Sequence, residues 1–202
     1  MEPLVLVTGF GAFPGTVRNP SREIALALEL APPPGLRVRA AELPVSFEGA
    51  PAALEALLDA LAADPPALIL GLGVQRAASF RLERRARGSL RGERLDADGR
   101  TASELAIEAG EELATEVELE PLLQALSEAG AAEVEISDDA GGYVCERTYH
   151  RLLACGRSLA VPALFLHVPP AEALEPEAQV PIVRALLARA AASIHLRDSS
   201  PL

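Results

Sequence analysis

Three residues of this chain carry the side chains of a nucleophile, a base and an acid that could act together: Cys145, His167 and Glu83. Apolar residues recur at helical spacing after Cys145 and the glycine pair 141–142 precedes it, so we expect this thiol in the first turn of a helix. Unpaired backbone N–H groups and the helix dipole favour the thiolate there, which is the nucleophilic form of cysteine. The alternative is an inert buried residue, because free cysteine is among the most buried residue types.

His167 is the histidine best placed to serve as the base for this nucleophile. It ends the apolar run 163–166 and precedes two prolines after Val168, as expected at the end of a buried strand. His150 follows Cys145 by five residues, so on one helix the two side chains diverge by about 140°. His195 could stabilise the end of a C-terminal helix. A histidine that ends a strand is, by itself, more often structural than catalytic.

Glu83 is the candidate for a third group that orients the imidazole, as carboxylates do in catalytic triads. It follows the glycine-containing strand end 71–73 and lies within a cluster of arginines. The alternative is a solvated glutamate that pairs with those arginines. Asp138 and Asp139 are closer to the cysteine in sequence and are rival candidates, although we expect them to shape the turn.

Phe10 and Phe13 are notable because only 3% of the residues are aromatic. They follow the first predicted strand, where exposure would lower solubility, so we expect them to line a pocket or pack beneath one. The neighbouring Gly9 and Gly11 could suggest a dinucleotide-binding loop. That signal is weak, because the glycine pattern is incomplete and Pro14 interrupts the place where the helix should begin.

The composition excludes several function classes. The 202 residues carry a net charge of −11, which argues against a nucleic-acid or anionic-membrane partner. All 18 basic residues are arginine, so a Walker A phosphate loop and a pyridoxal-phosphate Schiff base are excluded. No apolar run reaches the roughly 18 residues of a membrane span, and the acidic N-terminus does not resemble a signal peptide, so we expect a cytoplasmic protein.

The two cysteines and three histidines do not form a disulfide framework or a zinc site. Cys145 and Cys155 lie ten positions apart on the predicted helix, or about 15 Å. A disulfide tolerates Cα separations of up to about 7 Å, so we expect Cys155 to be a packing residue. The scattered histidines lack zinc-ligand spacing, so the sequence predicts no metal site.

Strand and helix patterns alternate along the chain, which predicts an α/β fold. We expect one domain over residues 1–202, a three-layer sandwich with a mixed, mostly parallel sheet flanked by helices. The predicted strands are 4–8, 36–45, 67–72, 133–137 and 159–168, and the predicted helices are 20–30, 50–63, 121–129, 144–155 and 180–194. Segment 76–118 is the least legible, with possible short strands or a hairpin near 79–86.

Sites in open parallel sheets gather beyond the carboxyl ends of the strands. Four segments of interest follow predicted strands: 9–15, 71–83, 138–145 and 167–170. We therefore expect them to meet at one edge of the sheet.

Several motifs together resemble those of the pyroglutamyl-peptidase I family. Residues 7–15 with Asn19-Pro20-Ser21 resemble the family's opening motif. Residues 136–145 are similar to its nucleophile motif and residues 165–169 to its histidine motif.

The resemblance implies a soluble, cofactor-free cysteine peptidase that removes N-terminal pyroglutamyl residues from peptides. It implies a triad of Cys145, His167 and Glu83, and a homo-oligomer, either a dimer or a tetramer. The residues that it implies for substrate binding, most of them around the lactam ring, are Phe10, Phe13, Tyr143, Val144 and Asn19.

The chain also departs from the family's pattern. Asp138 and Asp139 stand where the family usually has Asn-Thr, and Glu146 follows the cysteine where the family often has Asn. Gly88 replaces another common Asn. Segment 89–100 aligns poorly, so the arginine expected near the oxyanion could be either Arg91 or Arg94.

Two other functions are compatible with the residues. One is a different cysteine-dependent amidase or deamidase on a similar scaffold. The other is a non-catalytic α/β binding protein with an inert thiol.

Overall fold

The computed structural model of the chain describes residues 2–13, 18–105 and 110–198, with side chains of the last helix described up to residue 193. Pro14 and Gly15 of the opening motif, and the His195 side chain, lie outside the described residues. Among the helices of the described part, none is long and apolar enough to cross a bilayer.

Strands and helices alternate through most of the described chain. The strands are β1 (Leu4–Phe10), β2 (Arg37–Leu43), β3 (Leu68–Val74), β4 (Phe80–Glu83), β5 (Arg85–Ala86), β6 (Leu113–Ala114), β7 (Val134–Ser137) and β8 (Ala163–Val168). The helices are α1 (Pro20–Leu30), α2 (Gly49–Ala60), α3 (Glu120–Glu128), α4 (Val144–Leu159) and α5 (Pro176–Asp198).

Every strand and helix predicted from the sequence is present, and the largest differences lie at element ends. Helix α4 extends to Leu159, whereas the predicted strand began at that residue. It ends there because Ala160 adopts a left-handed conformation (φ 54°) and Pro162 follows two residues later. Helix α5 starts at Pro176, earlier than predicted, with proline at a favourable first-turn position.

Six strands form one mixed sheet in the order β2-β1-β3-β8-β4-β7. The first four are parallel to one another. Strand β4 pairs antiparallel with β8 and parallel with β7. Strands β5 and β6 form a separate two-stranded sheet. The predicted mixed, mostly parallel sheet is therefore confirmed.

Helices cover both faces of the six-stranded sheet, which gives the predicted three layers. One core joins α1, α3 and α5 to the sheet, and the other joins α2 and α4 to it. Strand β8 alternates between them, with Leu164 and Leu166 in the first core and Phe165 in the second. Because side chains two residues apart share a face, His167 points to the face that α4 covers.

Candidate active site

Cys145 lies in the first turn of α4, as the sequence predicts. The preceding turn uses Gly141 (φ 97°) and Gly142 (φ 69°), a left-handed backbone that other residues rarely adopt. Tyr143 is the N-cap residue, and its side chain makes no capping hydrogen bond. The first-turn N–H groups of α4, which have no partner within the helix, therefore remain available beside the thiol.

Cross-strand pairing brings Glu83 next to His167. Arg81 lies directly opposite His167 in the antiparallel pair of β4 and β8. Glu83 is two residues further along β4 and therefore shares the face of Arg81, which makes Glu83 the diagonal neighbour of His167. The imidazole Nδ1–H donates to Glu83 Oε1 over 2.7 Å. Both side chains are buried, at 5% and 0% exposure for the histidine and glutamate. Glu83 is therefore buried beside the histidine, and the alternative of a solvated glutamate that pairs with the neighbouring arginines is wrong.

Three of the four segments expected at one edge follow β1, β3 and β8, which end at the same edge; the expectation is wrong for the end of β7, the strand before segment 138–145, which runs in the same direction as the short β4 within segment 71–83. Those two strands run opposite to β8, so their carboxyl ends lie towards the other edge. Glu83 reaches the site by lateral pairing instead. The chain after β7 returns through the turn at 138–142 to begin α4 beside Gly73.

Gly73 creates the space in which the thiol and the imidazole meet. A Cβ added at Gly73 would stand 3.0 Å from Cys145 Sγ and 3.0 Å from His167 Cδ2. The thiol lies close enough to the imidazole to help raise its pKa. Because Glu83 occupies Nδ1, Nε2 is the nitrogen that remains for the sulfur. Sequence reasoning used Gly73 only as part of a strand end and missed this role.

The electrostatics of this group favour a charged imidazole. Burial by itself would lower the pKa of His167, but its interactions with Cys145 and with the hydrogen-bonded Glu83 raise it to about 9. The protonated ring pairs naturally with a thiolate, so proton transfer between them needs no bulk solvent.

A buried aromatic pair contacts the His167 ring and the backbone of Glu83. The Tyr149 hydroxyl donates to the backbone oxygen of Glu83 over 2.8 Å. The Phe165 ring lies 5.0 Å from the His167 ring and 5.3 Å from the Tyr149 ring. Sequence analysis missed this support, although Tyr149 follows Cys145 by one helical turn and so shares its face of α4.

A small pocket opens beside the thiol. Its lining comprises Phe10, Phe13, Asn19, Val45, Val74, Arg94, Tyr143, Val144 and Cys145. All five residues expected to bind substrate are among them. Val45 and Val74, which follow β2 and end β3, were not anticipated.

Asn19 fixes the wall of the pocket that follows β1. It is the N-cap of α1, where its side-chain oxygen accepts from the Ser21 N–H over 3.2 Å. Its amide nitrogen donates to the Gly11 carbonyl over 3.0 Å. The Phe10 N–H in turn donates to the Ser21 hydroxyl over 3.0 Å. These bonds hold the Phe10 backbone against the start of α1.

The structure distinguishes the two arginines that the sequence left open. The Arg94 guanidinium lies 4.4 Å from the Tyr143 ring centroid and 5.5 Å from that of Phe13, inside the pocket lining. Arg91 instead pairs with Asp139. Arg94 is therefore the arginine beside the thiol.

The acidic residues that depart from the family's pattern have structural contacts. Asp138 pairs with Arg84 and Arg85. Asp139 pairs with Arg87 and Arg91 and accepts from the Gly141 N–H, so the two aspartates shape the turn, as expected. In the described part of the chain, the ion pairs of these two aspartates do not involve His167.

Glu146 is fully buried, and its Oε1 accepts from the Arg87 N–H over 2.6 Å. Burial raises the pKa of this carboxyl, with hydrogen bonds from Arg87 and Gly142 acting in the opposite direction. The side chain therefore ties the segment after β5 to the first turn of α4.

Two further predicted features lie away from this centre. Burial raises the pKa of the Cys155 thiol, which keeps that half-buried residue in its neutral form. His150 contacts the Glu111 carbonyl at 2.8 Å.

In residues 2–13, 18–105 and 110–198, no three His, Cys, Asp or Glu side chains are grouped so as to hold a metal ion.

Comparisons with known proteins identify the family of the chain. The family model described as pyroglutamyl peptidase matches residues 4–190. A pyrrolidone-carboxylate peptidase of Gloeobacter violaceus is 33% identical over 169 residues, which cover 82% of this chain and 80% of that protein. One from Streptomyces coelicolor is 49% identical over 69 residues, 34% of this chain and 31% of that one.

A solved structure has the same fold over its whole length. The pyrrolidone carboxyl peptidase of Thermococcus litoralis superposes with a TM-score of 0.85 at 21% identity, covering 99% of this chain and 100% of that chain. The family model spans nearly all of the described sequence, and the Gloeobacter relative matches most of its length. The chain therefore belongs to the pyroglutamyl peptidase family.

Proposed function

We propose that this chain is a cysteine peptidase that hydrolyses the amide bond after an N-terminal pyroglutamyl residue. Family membership supports the activity and the substrate class. In the proposal, Cys145 is the nucleophile, His167 is the general acid and base, and Glu83 orients the imidazole. The observation that carries these roles is the 2.7 Å bond between His167 and Glu83 beneath a thiol that borders an aromatic pocket.

The reaction proceeds by acyl transfer in two steps. The Cys145 sulfur forms a bond to the pyroglutamyl carbonyl carbon, and His167 Nε2–H protonates the amine as the C–N bond breaks. The neutral imidazole then takes a proton from water, whose oxygen attacks the thioester carbon; the C–S bond breaks, pyroglutamic acid is released, and the thiolate is restored beside the protonated imidazole. Glu83 holds the ring so that Nε2 faces the sulfur throughout.

Charge on the carbonyl oxygen is stabilised by the start of α4. The N–H groups of its first turn have no partner within the helix, and loss of one such donor costs about 3–4 kcal/mol in a comparable site. The Arg94 guanidinium, which lines the same pocket, adds positive charge nearby.

The pocket suits the lactam ring, which is neutral, flat and carries one hydrogen-bond donor and one acceptor. Phe10, Phe13 and Tyr143 supply aromatic surface, and Val144 and Asn19 complete the proposed contacts. A free α-amino group would enter charged and lose its hydration there, which is unfavourable without a carboxylate to pair with it.

This selectivity gives a direct test of the proposed function. Hydrolysis of pyroglutamyl, glutaminyl and prolyl amides that share one chromogenic leaving group would be compared. We expect turnover of the pyroglutamyl compound. For the glutaminyl and prolyl compounds, which carry a charged amino group, we expect kcat/KM values at least about 100-fold lower, because that group would lose its hydration in the pocket. Equal cleavage of the glutaminyl compound would instead indicate a different amidase.

The raised pKa of His167 predicts where activity falls at high pH. A pKa of about 9 in the folded protein means that the imidazole keeps its proton until the pH approaches that value. Since the leaving amine needs that proton, kcat/KM should decline as the pH rises through about 9. A profile that already declines near pH 6.5, the ordinary value for histidine, would contradict the ion pair.

We also propose that the chain is cytoplasmic and assembles into a homo-oligomer of two or four copies. The family resemblance supports the assembly, and the net charge of −11 disfavours nucleic acid and anionic membranes as partners. Light scattering coupled to size-exclusion chromatography would measure the number of copies.

A further inference from the structure

We propose that Asp96 is a positioning residue that assembles the substrate pocket by joining the loop after β2 to the segment that carries Arg94. The inference rests on the proposed function, because it concerns how the same pocket holds its substrate. Sequence analysis did not single out Asp96, which lies in the poorly aligned segment 89–100.

The Asp96 carboxylate is buried and accepts hydrogen bonds from three backbone N–H groups. Its Oδ2 accepts from Phe47 over 3.0 Å, and its Oδ1 accepts from Asp98 and Arg100, each over 3.0 Å. The residue is 4% exposed. A buried carboxyl group that accepts from three N–H groups is a strong anchor, because it satisfies buried donors from two loops at one point.

The Oδ1 bonds close a tight turn on the segment side. The Asp96 N–H donates to the Arg100 carbonyl over 2.9 Å, and the Gly99 N–H donates to the Asp96 carbonyl over 3.1 Å. Gly99 adopts φ 74°, which a residue with a side chain would adopt with strain. The turn thus fixes the backbone direction of the segment just after Arg94.

The Oδ2 bond connects this turn to a second wall of the pocket. Phe47, which donates to it, packs its ring edge-on against the Tyr143 ring at 5.2 Å. The neighbouring Ala97 N–H donates to the Val45 carbonyl over 2.8 Å, and Val45 lines the pocket. The Asp96 carboxylate and the adjacent Ala97 backbone therefore join the two loops at two points.

The same segment completes the pocket around Tyr143. The Leu95 carbonyl, adjacent to Asp96, accepts from the Tyr143 hydroxyl over 2.7 Å. Arg94 lies over the Tyr143 ring at 4.4 Å. By contrast, the contacts of Asp96 involve neither His167 nor Glu83. Loss of Asp96 should therefore weaken substrate binding while the reactivity of the thiol is preserved.

The test compares Asp96→Ala with Asp98→Ala, an exposed aspartate two residues later in the same turn. For Asp96→Ala we expect KM for a pyroglutamyl amide to rise about tenfold or more, since three bonds to a charged acceptor are lost. We expect kcat to change by less than about threefold, and the rate of Cys145 alkylation by iodoacetamide to stay at the wild-type value. Asp98→Ala should resemble the wild type.

Asp96→Asn keeps the fold-stabilising turn and tests the link between the loops. The amide oxygen can still accept from Asp98 and Arg100, but the amide nitrogen would face the Phe47 N–H. We expect an intermediate KM. If Asp96→Ala fails to fold, a wild-type KM in Asp96→Asn would overturn the proposal by itself.

Other outcomes separate this inference from the proposed function. An unchanged KM in Asp96→Ala, or a parallel loss of kcat and alkylation rate, would overturn the positioning role. Absence of pyroglutamyl turnover in the wild type would refute the proposed function instead. In that case near-ultraviolet circular dichroism still reports the loops, because the chain has no tryptophan and two tyrosines, Tyr143 and Tyr149; an unchanged spectrum in Asp96→Ala would overturn the role.

Discussion

Replacing Cys145 with serine is expected to lower kcat/KM for a pyroglutamyl chromogenic amide by about 10⁴-fold or more, as loss of the nucleophile does in related triads. A serine hydroxyl is far less acidic than a thiol and would keep its own proton beside His167, which is already protonated at neutral pH. The variant would therefore have no nucleophile comparable to the thiolate. The protein should still fold, because Cys145 is only half-buried and the substitution is nearly isosteric. Steady-state hydrolysis and thermal unfolding, measured on the same preparation, would check both statements.

Cys155→Ser is the matched control for this substitution. Cys155 lies ten positions further along α4, and burial raises the pKa of its thiol. We expect this variant to keep wild-type turnover and its sensitivity to iodoacetamide. Retained turnover in Cys145→Ser, or loss of turnover in Cys155→Ser at unchanged stability, would show that the nucleophile has been misassigned.

Replacing Glu83 with glutamine is expected to lower kcat/KM by up to about 10⁴-fold, the loss in kcat reached when a triad carboxylate becomes an amide. Glutamine removes the negative charge that helps to raise the pKa of His167 and can present its amide nitrogen to Nδ1. The imidazole should then lose its proton at a lower pH. We therefore expect the high-pH decline of kcat/KM to move from about pH 9 towards neutrality.

Glu135→Gln provides the control for Glu83→Gln. Glu135 lies on the adjacent β7 and pairs with Arg81, but its side chain is 52% exposed. Exposed ion pairs contribute little to stability, so this variant should keep the wild-type activity and pH profile. An unaltered profile in Glu83→Gln would mean that the buried carboxylate does not set the charge of the imidazole.

Local chemistry explains why much of the fold could be predicted from the sequence. Asn19 and Pro20 are a favourable N-cap and first residue, and α1 begins at Pro20. The apolar runs that form β1 and β3 are buried in the parallel part of the sheet, as continuous runs predict. The glycine turn before Cys145 likewise predicts the start of α4.

Other features depend on contacts between distant segments, which local patterns do not contain. The direction of β4 follows from its pairing with β8, and this pairing decides that Glu83 meets His167 from the side. The choice between Arg91 and Arg94 follows from the ion pair of Arg91 with Asp139. Segment 89–100 owes its shape to the buried carboxylate of Asp96, whose three N–H partners include Phe47 from another loop.

The most direct test of the central claim is to trap the acyl-enzyme. The wild type would be mixed with excess pyroglutamyl amide, quenched in acid within one turnover, digested at low pH and sequenced by tandem mass spectrometry. We expect one pyroglutamyl group as a thioester on Cys145, none on Cys155, and no adduct in Cys145→Ser. Rapid release of the leaving group with Cys145 unmodified throughout would contradict the proposed catalysis.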